Sequence, residues 1–186
     1  MSSEAQACFT YIFMPVFVIS LLSQFVYQPV ISKMALLWHE KKISQFNKLI
    51  LRQIALILLL SVAAIIGGYL LGIPVLSLIY GVDLTDYKKS LVILLIGGGA
   101  LAIVNFLQMI ITVTRKQKLL NIGYLLAFLL FVFGGKTITE KHGMIGISVF
   151  YTAVVMILGA VFIVLTIGII KGYANSDGKT VAEKKQ

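Results

Sequence analysis

Acidic residues are scarce in this chain: seven Asp and Glu stand against sixteen Lys and Arg among 186 residues, a formal net charge of +9. Charged residues of both signs amount to 12%, against roughly 25% in an ordinary soluble domain. A single cysteine, Cys8, rules out an internal disulfide, and neither a CxxC nor a His/Cys cluster offers a structural metal site. Signatures of catalysis are missing as well: there is no GxxxxGK[ST] cradle, no HExxH, no GxSxG elbow and no Cys–His pair. No ionisable residue falls in the middle of a long apolar run, where ion-coupled carriers commonly keep one. These absences argue against an enzyme, and no cofactor or metal is expected.

Apolar residues dominate instead, at 59% with a mean hydropathy of +0.99. Such a chain is not disordered, and a soluble helical core would need polar outer faces that its long runs lack. Five runs meet the demand of about 20 apolar residues per crossing: residues 8–31, 53–71, 91–114, 119–135 and 143–170. Unbroken runs of that length mean helices, because a barrel alternates over strands of about ten residues. The expected fold is an all-α polytopic membrane protein. Its five-helix region fills residues 1–170, and a polar, loose cytoplasmic tail follows over 171–186.

Basic residues collect on one side of these helices. Lys33, Lys41, Lys42, Lys48 and Arg52 follow the first, Arg115, Lys116 and Lys118 the third, and Lys171, Lys179, Lys184 and Lys185 the fifth. Only Lys88, Lys89, Lys136 and Lys141 lie on the other side. The positive-inside rule places the amino terminus outside and the carboxyl terminus in the cytoplasm. The opening residues carry Glu4 and no Lys or Arg, unlike the basic start of a signal peptide. A first helix entering from outside suits one that follows earlier helices. The chain is therefore expected to be the later part of a longer transporter, or descended from one; a complete small five-helix protein is the other reading.

Polar residues inside the helices are few. Gln24 and Gln28 are four apart on one face of the first helix, with Ser20, Ser23 and Tyr27 nearby. Asn105 and Gln108, three apart, are the most deeply placed carboxamides besides Gln24. A buried amide is unfavourable without a partner. These four either face a water-filled substrate path or join helices through hydrogen bonds. Pro29 should bend the first helix near its inner end.

Between helices, residues 35–52 read as an amphipathic connector lying along the inner interface, with Trp38 at headgroup level and its cations toward anionic lipid. That basic stretch has no stacking or groove-reading module, so no nucleic acid is expected. Gly72 and Pro74 should stop the second helix, leaving residues 75–80 to re-enter or lie at the outer interface before Gly81. Asp83 and Asp86 sit in a surface turn, without the cleft that paired-carboxylate glycoside chemistry needs. Gly97, Gly98 and Gly99 invite close helix approach. His142, alone in a short outer loop, reads as incidental.

In order and spacing, YQPVISKMALLWHEKKISQFNKLI, GIPVLSLIYGVDLTDYKKSLVILLIGGG, the RKQK after the third helix and HGMIGISVFYT resemble one family. It is the polysaccharide or O-antigen flippases of the multidrug/oligosaccharidyl-lipid/polysaccharide exporter superfamily. The resemblance covers roughly residues 13–170 and is to the later half, so the five helices would be most of a second six-helix bundle. It implies two bundles around a cavity of alternating access, moving an undecaprenyl-diphosphate-linked oligosaccharide across the bacterial cytoplasmic membrane for cell-surface polysaccharide. It also demands a first bundle and a seventh helix, which would come from missing amino-terminal sequence or a partner chain. Position by position, Pro29 and Ser32 match the family's proline–serine helix end, Gly72, Pro74 and Gly81 its outer loop, and Gly143 and Gly146 the glycine pair before the last helix. Lys33, Arg52 and Arg115 stand where a diphosphate would enter, since cations at a restricted mouth concentrate an anion. The expected partners are membrane lipids and the lipid-linked oligosaccharide. A drug or other small-molecule exporter of the same superfamily and a non-transporting membrane scaffold or remnant are the alternatives.

Overall fold

A computed structural model describes the backbone of residues 3–183 and the side chains of residues 6–135, 137–138 and 142–173. The helices are α1 (Ser3–Tyr27), α2 (Ile31–His39), α3 (Ile43–Tyr80) and α4 (Lys88–Val113), followed by a helical run Lys118–Glu183. That run breaks at Gly143, whose φ of 57° and ψ of −140° fold it back on itself. Its two limbs, residues 118–142 and 144–183, are α5 and α6. Five stretches are long and apolar enough to cross a bilayer: Gln6–His39, Ile43–Tyr80, Thr85–Val113, Lys118–Gly135 and His142–Tyr173. The chain is a polytopic, all-helical membrane protein.

α4 is the axis of the bundle. Its most apolar window is 61% buried, against 11–28% for the other four spans. The reason lies in Gly97, Gly98 and Gly99. Successive residues turn about 100° around a helix, so the three glycines face three different neighbours. A Cβ on Gly97 would stand 2.7 Å from the Thr152 hydroxyl of α6, one on Gly98 3.3 Å from the Val16 backbone of α1, and one on Gly99 3.0 Å from Ser61 of α3. Lipid supplies no hydrophobic drive between spanning helices, so close packing of this kind holds them. Thr152 Oγ1 adds a hydrogen bond of 3.0 Å to the Ile93 carbonyl of α4.

The helices are longer and less interrupted than expected. α3 does not stop at Gly72 and Pro74 but runs on to Tyr80, where Gly81, at φ 67°, caps it through a 2.9 Å bond to the Ser77 carbonyl. Residues 75–80 are its last turns and not a re-entrant segment. Proline removes one intrahelical hydrogen bond, yet abandoning the helix in lipid would strand several more groups. Gly72 instead leaves room for Leu91 of α4. The connector over 35–52 is likewise divided: α2 ends at His39, and the residues from Ile43 belong to α3. Pro29 lies in a 3₁₀ turn, Gln28–Val30, joining α1 to α2.

The expected outer loop before Gly143 is helical, and that one glycine makes the turn between α5 and α6. Gly146 lets the limbs close up, since a Cβ there would meet His142 at 2.5 Å and the Ile138 carbonyl at 3.1 Å. The stretch read as a loose tail continues as helical backbone to Glu183. The side chains of Lys136, Glu140, Lys141, Lys179, Lys184 and Lys185 lie outside the described residues.

Candidate functional site

α1 buries Ile12, Val16, Ile19 and Ser23 in one stripe, and α4 covers that stripe. The polar residues of both helices flank this contact. Gln24, Tyr27 and Gln28 of α1 meet Asn105, Gln108 and Thr112 of α4 around a cavity of about 400 Å³, closed by Ile31, Met109 and Val113. All four carboxamides singled out in the sequence thus line one cavity. Spacings of three and four residues put each helix's set on a single face.

These amides also tie the bundle together. Asn105 Nδ2 donates to Ser20 Oγ at 2.8 Å, joining α4 to α1. The Tyr124 hydroxyl of α5 donates to Gln108 Oε1 at 2.6 Å. Each of these two amides keeps a second polar atom for the cavity, so cavity-lining and helix-joining coexist in the same residues. Thr112 turns its hydroxyl back to the Gln108 carbonyl at 2.9 Å. Tyr27 is 4% exposed, its ring 5.5 Å from Phe106. Gln24, Gln28 and Thr112 are exposed at the open side of the cavity.

Towards the far end α1 meets α6, with the Phe13 and Tyr151 rings 5.0 Å apart. The cavity therefore belongs to the half of the bundle nearer the basic residues. Among the described residues no charged side chain lines it. A neutral wall of amides and hydroxyls can exchange hydrogen bonds with a polyhydroxylated or amide-bearing solute. It offers no group able to hold a proton or a unit charge at neutral pH.

Cations begin where the cavity ends. Val113 lines it, and two residues on Arg115 enters a second pocket of about 840 Å³ with Lys116, Lys118 and the Leu165 face of α6. Arg115 sits at φ 59°, a left-handed backbone that ends α4. The structure does not gather the three expected phosphate contacts: Lys33 on α2 and Arg52 on α3 are exposed and line neither pocket. Ser32 is exposed on the first turn of α2. Among the described residues no three His, Cys, Asp or Glu converge as metal ligands.

At the opposite end Asp83 accepts from the Thr85 hydroxyl at 2.6 Å and the Thr85 amide at 3.0 Å. These bonds hold its carboxyl below the usual aspartate range.

Sequence reading missed Ser20 and Tyr124 as the partners. The signal for Tyr124 lay in hairpin symmetry: Gln108 and Tyr124 stand equally far from Lys116 in the tight turn between α4 and α5. No family model, curated protein or solved structure matches the chain.

Proposed function

We propose that this chain forms part of a transporter that moves undecaprenyl-diphosphate-linked oligosaccharide across the bacterial cytoplasmic membrane for cell-surface polysaccharide. The observation that carries the reading is the uncharged cavity of Gln24, Gln28, Asn105 and Gln108, set in the basic half of a membrane bundle. Carboxamides both donate and accept, as sugar hydroxyls do, and bind them without a fixed charge. The diphosphate would be met at the rim, where Arg115 stands beside Lys116 and Lys118. Lys33 and Arg52 would act earlier, drawing the anionic headgroup to this side. The proposal involves no bond-making step and no cofactor. The positive-inside rule makes the basic end cytoplasmic.

The exposed Gln24 and Gln28 imply a further wall, because lipid cannot satisfy their amides. A second helical bundle, in a longer chain or a partner, would supply it. A scaffold reading has support of its own in the Asn105–Ser20 and Gln108–Tyr124 bonds. Drug export draws less from this cavity, which has no carboxylate among the described residues to pair with a cation.

The test is a Gln24→Leu/Gln28→Leu exchange in the intact transporter, leaving both interhelical bonds in place. Surface polysaccharide should fall about tenfold or more with normal membrane levels, the equivalent of roughly two lost hydrogen bonds. Unchanged polysaccharide with a loss of drug resistance would favour the exporter reading. No change in either would favour the scaffold.

A further inference from the structure

A different face of α4 carries a second kind of site. Between α3 and α6 the bundle leaves a crevice of about 480 Å³ at the basic end, within the roughly 300–1,000 Å³ of ordinary ligand pockets. Its floor is Leu107 of α4, 2% exposed. Ile54 of α3 and Ile163 and Ile167 of α6 form its apolar walls, and Asn47 and Lys171 stand at its rim. α3 and α6 run in opposite directions, so the polar rim of one meets that of the other. From Lys171 to Ile163 the wall descends about 12 Å at the 1.5 Å rise of a helix. The crevice is therefore graded from cationic at headgroup depth to predominantly apolar at acyl-chain depth, with Thr166 the one polar side chain between Lys171 and Ile163. Lys48 and Arg52, exposed on α3 beside the rim residues, add to the positive field.

We propose that this crevice is a binding site for an anionic phospholipid of the surrounding bilayer, one acyl chain lying between α3 and α6 and the phosphate at Lys171 and Asn47. Charge complementarity selects the headgroup: a basic residue near the surface favours an anionic over a zwitterionic lipid, and an ammonium and a carboxamide both donate to phosphate oxygen. The apolar walls select the tail. Leu107 faces about 100° or more away from Asn105 and Gln108 around α4. The lipid thus occupies a site separate from the polar cavity and independent of what that cavity carries.

The chain's single tryptophan reports on this site. Trp38 of α2 packs with its ring 4.4 Å from Tyr173, two residues beyond Lys171. The full chain, reconstituted in phosphatidylcholine vesicles, would receive a small fraction of either phosphatidylglycerol or phosphatidylcholine brominated on its acyl chains. Brominated phosphatidylglycerol should quench Trp38 about fivefold more effectively per mole than its zwitterionic counterpart. Lys171→Gln should abolish most of that preference, whereas Lys89→Gln, exposed at the opposite end of the bundle and outside the crevice, should leave it. Ile167→Phe, which fills the crevice from an exposed position, should reduce quenching by both lipids. Equal quenching by the two lipids in the wild type, an unchanged preference in Lys171→Gln, or unchanged quenching in Ile167→Phe would each overturn the proposal.

Discussion

Thr152 takes the space that a side chain on Gly97 would need and uses it to reach the Ile93 carbonyl. Gly97→Ala should therefore destabilise the bundle by about 1–3 kcal/mol through overpacking, even though alanine favours helix. Thr152→Ala removes the obstructing oxygen, so the double variant should lose clearly less than the two single losses combined. Unfolding in mixed detergent micelles would measure the cycle, and simple additivity would mean that the two residues do not meet. At the far end, Asp83 has a folded pKa below its unfolded one. Its bonds to Thr85 thus contribute fully above the unfolded value of about 3.9 and are lost as pH falls through the folded value. Protection of the Thr85 amide, taken relative to its intrinsic exchange rate at each pH, should fall over that acid range and become insensitive to it in Asp83→Ala. Both the pairing of Thr152 with Gly97 and its cross-helix bond depend on which helices are neighbours, so neither was legible in the sequence.

Among the elements, the sequence marked the number of spans better than their ends. Long uncharged runs sufficed for the first, since only a helix satisfies its own backbone in lipid. The ends went astray at Pro74 and before Gly143, where rules learned from soluble chains over-weight a breaker. Water rescues a broken helix in solution, and hydrocarbon does not. The true break, Gly143, needs a backbone at φ 57° and ψ −140° that an L-residue adopts only under strain. Gly143→Ala should cost about 1–3 kcal/mol and loosen the α5–α6 hairpin. Gly168→Ala, on helical backbone with nothing within 4 Å of the added methyl, should be neutral or mildly stabilising. Thermal unfolding of the two variants separates these outcomes, and equal melting points would show that the turn does not depend on its glycine.

Across the whole molecule, polarity is sorted by direction. One face of α4 looks into the amide-lined cavity, another onto the apolar crevice, and the cations gather beyond its carboxyl end. That the carboxamides of each helix share one face was legible, because spacings of three and four residues map directly onto helix faces. The separation of the three expected phosphate contacts was not, because Lys33, Arg52 and Arg115 sit on different elements whose relative rotation no local pattern records. At the level of Gly97, Gly98 and Gly99 the axial helix presents bare backbone to three partners at once. Ridges elsewhere mesh like teeth, whereas this level is a smooth collar. A helix that turns or slides against its neighbours there disengages no side chain of its own and need only release the Thr152 hydroxyl. The bundle thus has close packing on three sides and little side-chain gearing in the same place, as a bearing does.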